Sequence, residues 1–407
     1  MGGRWGLLSS NAAFRSLWTA RLVSYVGDGI AIVALVLLVS SGRPATAVGG
    51  LLLARTIPGF LSPVFGALAD RRDRRALMVQ TELGQAVIYA VIAAWRPPYV
   101  WLLVLVALAT LLSRGFSAAS KSALPALVER DDLLPANALL NTVFNLQLAL
   151  GPALGGLLVA ASGLRTAVAI DAASFLASAL IMLALPRMPP AEGHSAASGL
   201  ATDIRDGLRF IWGDPLLRVL ITSMFAFVAF ASLDNVAVVF LVRDVLGNGA
   251  FAYGAAMSAF GLGMIAAALG LVRRWSPVHP ATIVLVGMLF TGLGNLLVGV
   301  APAIGLVVAF QALGGIGNGL GLVGEDTLLQ RHAPEHMLGR VFGAFGASVF
   351  LGSTIAYAAG GVFVDATSPR TALIASGIAV FVVAALTWPA LSRAAASDPG
   401  EVRAPPA

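Results

Sequence analysis

Twelve apolar runs of about 20 residues fill the chain, at 18–40, 46–69, 75–95, 98–120, 138–161, 166–186, 217–241, 250–272, 280–300, 302–325, 339–364 and 370–392. Twenty residues of α-helix rise about 30 Å, the thickness of a bilayer's hydrocarbon core. Hydrocarbon offers no partner to a backbone N–H or C=O, so segments of this length must satisfy their own hydrogen bonds as helices. The expected fold class is therefore an all-α polytopic membrane protein with twelve transmembrane helices. Composition agrees, with 58% of residues hydrophobic and 11% charged, and a mean hydropathy of +0.87. Soluble domains carry roughly 25% charged residues. So few charges cannot cover several soluble domains, which excludes a soluble enzyme.

The basic residues orient the spans. An even count puts both termini on one side, and cytoplasmic loops collect Lys and Arg. With the termini inside, Arg4, Arg15, Arg71, Arg72, Arg74, Arg75, Lys121 and most later arginines face the cytoplasm. Only Arg43, Arg96, Arg165, Arg243 and Arg370 lie outside, and Arg21, Arg55 and Arg114 sit within spans. This bias accounts for the net charge of +6 without a nucleic-acid partner. It predicts a multi-pass cell-membrane protein, the plasma or inner membrane, with both termini cytoplasmic. Residues 1–17 lack a small-residue cleavage site, so the first span reads as an uncleaved anchor.

Cysteine is absent, which removes disulfides, thiol nucleophiles and thiolate metal sites. His332 and His336 have helical spacing, but Pro334 between them argues against a ligand pair. Gly261-x-Gly263 follows no strand and so is no dinucleotide loop. No catalytic residues, metal site or cofactor is expected.

The longest non-spanning stretch opens with Pro186, Pro189 and Pro190 and ends in an expected amphipathic helix, Asp203–Trp212. It reads as a cytoplasmic linker, 187–215, between six-helix bundles at 1–186 and 216–394, with a tail at 395–407. The two bundles repeat at an offset of about 205 residues. Asp28-Gly-Ile-Ala-Ile-Val aligns with Asp234-Asn-Val-Ala-Val-Val, Gly155-Gly156 with Gly360-Gly361, and Arg165-Thr-Ala with Arg370-Thr-Ala. Six spans per half make the repeat parallel, an arrangement in which transporters place substrate at the midplane.

The second span ends Gly66-Ala-Leu-Ala-Asp70-Arg71-Arg72-Asp73-Arg74-Arg75. This resembles the signature between helices two and three of the major facilitator superfamily, departing at Asp73, where glycine is usual. Gly151-Pro152-x-x-Gly155-Gly156 in the fifth span is similar to the motif of proton-coupled antiporters, and Arg114-Gly115 partly matches a third motif. Phe14-Arg15, Ser24, Gly27-Asp28, the run 133–137, Thr327–Arg331 and Gly339-Arg340-Val341 look like the enterobactin-exporter and macrolide-efflux branch. The resemblance implies a central cavity and export driven by the proton gradient.

The candidate site residues are the charges that a bilayer should exclude. Asp28 lies ten residues into the first span, about 15 Å deep, where a charge costs ~2.5–3.5 kcal/mol or more. It reads either as a proton-coupling or cationic-substrate group, or as an ion-pair partner that holds helices together. Arg21, two turns back on the same face, and Arg55 in the second span are its candidate partners. Arg55 reads as a counter-ion for Asp28 or as a contact for an anionic substrate. Asp234 and Asn235, the repeat mates, offer a second polar contact. Glu82 and Arg114 lie in the inner halves of their spans, where an ion pair of structural role is expected. Asp171 sits five residues inside its span, so packing or interfacial hydration suffices for it. Glu325-Asp326 reads as a solvated gate pair.

Two further groups read as moving parts. The arginines Arg71, Arg74 and Arg75 around Asp70 carry a topology signal. With Gly66, and with Gly339 and Arg340 opposite, the resemblance also implies a latch, with Asp70 on the positive N-terminus of the eleventh helix. Gly151, Pro152, Gly155 and Gly156 read as small-residue packing, or, by the resemblance, as a seal against proton leak.

Together these readings predict a monomeric secondary transporter in the lipid bilayer, exporting a hydrophobic or amphipathic small molecule in exchange for protons. A drug, a macrolide or a siderophore-like compound fits, whereas a sugar phosphate would need several cavity arginines. An uptake symporter or a lysolipid flippase is the alternative, and a non-transporting scaffold or sensor the remaining one.

Overall fold

The computed structural model describes residues 6–62, 65, 71–189, 209–271, 278–334 and 337–397, all helix and connecting turns with no strand among them. A one-turn helix, Gly6–Ser10, precedes α1 (Ala12–Ser40). The second helix, α2 (Ala45–Thr56), tightens into a 3₁₀ turn at Ile57–Leu61, where Pro58 sits. Then come α3 (Arg74–Trp95) and α4 (Tyr99–Leu127). The 50-residue stretch Leu133–Met182 is two helices, α5 (133–162) and α6 (164–182), broken at Gly163 with φ 84° and ψ 168°. Glycine reaches that backbone conformation without a Cβ penalty.

The later helices are α7 (Pro215–Val245), α8 (Ala250–Ala266), α9 (Pro280–Val300), α10 (Ile304–His332), α11 (Leu338–Ala366) and α12 (Pro369–Ser397). Helices α1 to α12 all fall on expected spans, although α1 starts six residues early, α4 and α10 run seven residues on, and of the second span only 46–62 and 65 are described. The larger differences come where a span runs on beyond its apolar stretch, as α10 does to His332.

Capping explains several starts. Asn11, Asp73 and Asp214 each accept a hydrogen bond from a backbone N–H of the first turn, and Pro215 and Pro280 occupy first helical positions. Asp73, the departure from the superfamily signature, has a second duty as well. Its Oδ2 accepts from Met188 N at 2.8 Å, so the carboxylate that caps α3 also ties down the chain after α6.

The helices form two compact units. The first comprises 1–196 with Asn235–Gly261 and Tyr357–Ser368; the second comprises 197–234, 262–356 and 369–407. In the first, Phe14, Leu17, Met78, Phe116, Leu139 and Met182 bring α1, α3, α4, α5 and α6 into one apolar cluster. Within a bilayer close approach depends on small residues, and α1 meets α5 through glycine. A Cβ on Gly151 would lie 2.7 Å from Gly29 Cα, and one on Gly155 2.8 Å from Ile30 O. Gly156 serves α8 in the same way, 2.6 Å from Ala250 O. Next to Pro152, Ala153 N–H donates to Ser258 Oγ at 2.7 Å.

In the second unit Leu220, Met224, Leu285, Met288, Leu328 and Val380 gather α7, α9, α10 and α12. Glycine again permits close approach there, since a Cβ on Gly294 would lie 2.7 Å from Gly314 Cα. Glu325 departs from the solvated gate expected of it, because α10 continues past it and leaves it buried. The expected linker helix falls mostly outside the described residues, which take it up as helix at 209–213.

Candidate functional site

Three helices of the first unit carry polar stripes at i, i+3, i+7, the spacing that keeps side chains on one helix face. They are Arg21, Ser24 and Asp28 on α1, Glu82, Gln85 and Tyr89 on α3, and Arg114, Ser117 and Lys121 on α4. All nine line one cavity of about 550 Å³, closed further by Arg55 of α2, Phe144 and Gln147 of α5, Phe175 of α6 and Tyr357 of α11.

At its centre Arg55 Nη2 donates to both oxygens of Asp28, at 3.0 and 2.9 Å, and Nη1 donates to Tyr89 OH at 3.3 Å. Gln147 Nε2 donates to Asp28 Oδ2 at 3.0 Å. About a quarter of each partner's side chain stays open, 23% for Arg55 and 25% for Asp28. Tyr89 packs on Phe175 at 5.3 Å between ring centroids.

Arg21 stands apart from this pair. Its Nη1 donates to Ser120 Oγ at 3.0 Å and its Nη2 to Tyr25 OH at 2.9 Å, with the guanidinium 5.0 Å over the Tyr25 ring. Of the two expected partners for Asp28, then, the structure selects Arg55.

Behind the pair lie two more carboxylates. Glu82 is fully buried; its Oε1 accepts from Ser24 Oγ at 3.3 Å and its Oε2 makes no hydrogen bond. The ion pair expected between Glu82 and Arg114 is absent, since Glu82 turns to α1. Asp171 is equally buried, which agrees with packing and not with interfacial hydration, the two readings its position allowed. Its Oδ1 accepts from Ser174 Oγ at 3.2 Å, and Oδ2 is unpartnered. Gly27 makes room for it, because a methyl group there would lie 2.6 Å from Asp171 Oδ1.

Other candidates lie elsewhere. Asp234 belongs to the second unit, where Gln311 Nε2 donates to its Oδ1 at 2.9 Å, and Asn235 belongs to the first. Gly66 and Asp70, the core of the expected latch, are outside the described residues. Arg74 N–H donates to Met188 O at 3.0 Å and Arg75 Nη2 to Leu183 O at 2.5 Å, while Arg71 begins the stretch that leads to Asp73. Gly339 has open space around its Cα, and Arg340 Nη1 reaches Met337 Sδ at 3.6 Å.

Sequence reasoning missed Tyr89, Gln147 and Ser120, and it underrated Asp171. The signal was present, since Asp171, Ser174 and Ser178 form a fourth i, i+3, i+7 stripe on α6.

An all-helical chain of membrane-length spans, with a charged cavity inside its first unit, has the makings of a transporter. Solved structures share its fold. The chain is similar to the nucleoside transporter NupG, with TM-score 0.76 and 14% identity over 94% of this chain and 99% of that one. It is similar as well to a bacterial homologue of the human lysosomal transporter Spinster, with TM-score 0.74 and 13% identity over 97% and 98%.

The chain belongs to the transmembrane secretion effector family of the major facilitator superfamily, whose model matches residues 4–400. Curated relatives include the uncharacterized MFS-type transporter YfiS of Bacillus subtilis (strain 168), 27% identical over 94% of each chain. The enterobactin exporter EntS of Escherichia coli O1:K1 is 29% identical over 93% of this chain and 92% of its own.

Proposed function

We propose that this transporter exports an amphipathic organic acid bearing an aromatic ring, in exchange for protons, by alternating access. The observation that carries the reading is the cavity's charge balance. Among its described lining residues, Arg21, Arg55, Arg114 and Lys121 face only Asp28 and Glu82. Three arginines and a lysine thus line the cavity, where the sequence reading counts too few arginines for a sugar phosphate. Tyr25, Phe144, Phe175 and Tyr357 add aromatic surface to the same walls. Relatives named as enterobactin exporters support the outward direction.

The acid group of the cargo competes with Asp28 for Arg55. An arginine–carboxylate contact is planar and directional, so a cargo carboxylate or sulfonate substitutes for Asp28 without rebuilding the site. Gln147 keeps a hydrogen bond on Asp28 while Arg55 is engaged. The aromatic ring lies against Tyr25 and Phe144. Asp70 with Arg71, Arg74, Arg75, Gly66, Gly339 and Arg340 forms the latch of one conformation, and Gly151, Pro152, Gly155 and Gly156 the tight helix contact that limits proton leak. The chain works as a monomer in the cell membrane, its termini in the cytoplasm.

The test uses inverted vesicles, an imposed pH gradient and two probes, radiolabelled naphthalenesulfonate as a permanently ionised aromatic acid and ethidium as an aromatic cation. Gradient-driven uptake of naphthalenesulfonate is expected, falling at least about tenfold in Arg55→Gln, the loss of one charge-assisted contact. Ethidium transport without naphthalenesulfonate transport would falsify the acidic-cargo reading. Naphthalenesulfonate moving only in the opposite direction would replace export by uptake.

A further inference from the structure

We propose that Glu82 and Asp171 are the proton-carrying groups of the exchanger, leaving Asp28 as the carboxylate that gates Arg55. The proposal rests on the proton-coupled reading above and assigns that coupling to residues.

Four observations support it. First, Glu82 on α3 and Asp171 on α6 are both completely buried. Each keeps one carboxylate oxygen without a hydrogen bond. A buried charge left without a partner is strongly disfavoured, and more so within a membrane. A proton relieves that cost by turning one oxygen into a donor.

Second, the cations nearby are otherwise engaged. Arg55 is held by Asp28 and Tyr89, and Arg21 by Ser120 and Tyr25. Both reach the two carboxylates only through space, Arg21 acting on Glu82 and Arg55 on Asp171. Asp28, by contrast, has a charged partner and an amide donor.

Third, the charged and titratable neighbours make the two groups respond to the cargo site. Asp28 acts on both carboxylates, and Asp171 also senses Glu82 and Tyr89. Asp28 thus stands between the cargo site and both carboxylates, and exchange requires the two loads to move in opposite transitions, the carboxylates ionised while cargo is carried out and protonated on the return.

Fourth, hydroxyls surround the carboxylates. Ser24 donates to Glu82 and Ser174 to Asp171. Ser178 Oγ is buried without a hydrogen bond of its own, although it lies close enough to Glu82 to interact with it. Glu82 and Ser24 line the cavity, which gives protons a way in.

The experiment reconstitutes the full chain in liposomes and compares the wild type with E82Q, D171N and E82D. Naphthalenesulfonate transport driven by a pH gradient is read beside naphthalenesulfonate exchange at equal pH. E82Q and D171N should lose at least about nine-tenths of the driven transport, and D171N, whose residue does not line the cavity, should keep exchange, whereas E82D, which retains the carboxyl, should restore part of the driven transport. Infrared difference spectra between acid and alkaline buffer should show a protonated-carboxyl band that E82Q removes.

Gradient-driven transport that persists in both amide variants overturns the assignment and leaves proton coupling intact. So does an unchanged infrared spectrum. Loss of exchange together with driven transport, unrelieved in E82D, makes the two groups structural and overturns it as well. A wild type indifferent to pH gradients, or driven by sodium instead, overturns the proton-coupled reading itself.

Discussion

Arg55 and Asp28 hold each other, and each leaves about a quarter of its side chain open to the cavity. That exposure leaves both partners within reach of a molecule in the cavity, which the proposed function requires and a purely structural pair would not. Asp28→Asn removes the competitor for Arg55 while preserving shape. The cargo should then bind more tightly and leave more slowly, with KM and maximal rate for naphthalenesulfonate both falling several-fold. A rise in KM would show instead that Asp28 contacts the cargo directly. Gly27→Ala tests the neighbouring packing, since the added methyl group meets Ser174 and Asp171. Overpacking of this kind costs about 1–3 kcal/mol, so the purified variant should melt at a lower temperature, read by the unfolding of detergent-solubilised protein.

Much of this was legible at the scale of single residues, but pairing was not. Asp28 stood out by depth alone, and Arg21 looked as eligible a partner as Arg55. The choice between them depends on helix rotation and on Tyr89 and Gln147, the latter 119 positions away. No local pattern in the sequence carries that distance. For Asp171 the position in its span leaves packing and interfacial hydration equally open, and the choice of packing comes from Gly27, which it faces across a helix contact.

At the scale of elements, the glycines give the clearest agreement between sequence and structure. The run Gly151-Pro152-x-x-Gly155-Gly156 was read as a close-packing surface, and its members meet Gly29, Ile30 and Ala250 almost backbone to backbone. Another helix contact left no such mark. Asp365, near the end of α11, accepts from Ala45 N at 2.6 Å and Thr46 N at 2.9 Å, capping α2 from 320 residues away. Gly361 and Gly49 let the two helices close in around it. A cap of this kind contributes about 0.5–2 kcal/mol. Asp365→Ala should therefore speed hydrogen exchange at Ala45 and Thr46 about 2- to 30-fold, measured by mass spectrometry in detergent. Unchanged exchange would mean that water replaces the carboxylate at no cost.

At the scale of the whole molecule, the twelve spans and their ends were legible because hydrocarbon permits so little else. The loops were less so, as the double use of Asp73 shows. The sequence presented it as a departure from a signature, and the structure makes it a helix cap and a tether.

The cavity's surplus of positive charge has a consequence in the language of currents. In the proposed exchange, an anion going out and a proton coming in both carry positive charge inward, so that cycle is electrogenic and the membrane voltage drives both halves. With one proton per monovalent anion, 100 mV supplies roughly 4.6 kcal/mol, a little over three powers of ten in cargo concentration even with no pH difference. A cationic cargo exchanged for one proton would move no net charge and ignore voltage. Liposomes on a solid-supported membrane electrode should therefore report a current when naphthalenesulfonate is added, with a sign that marks the anion's direction. The presence or absence of that current thus separates the proposed export of an anion from export of a cation.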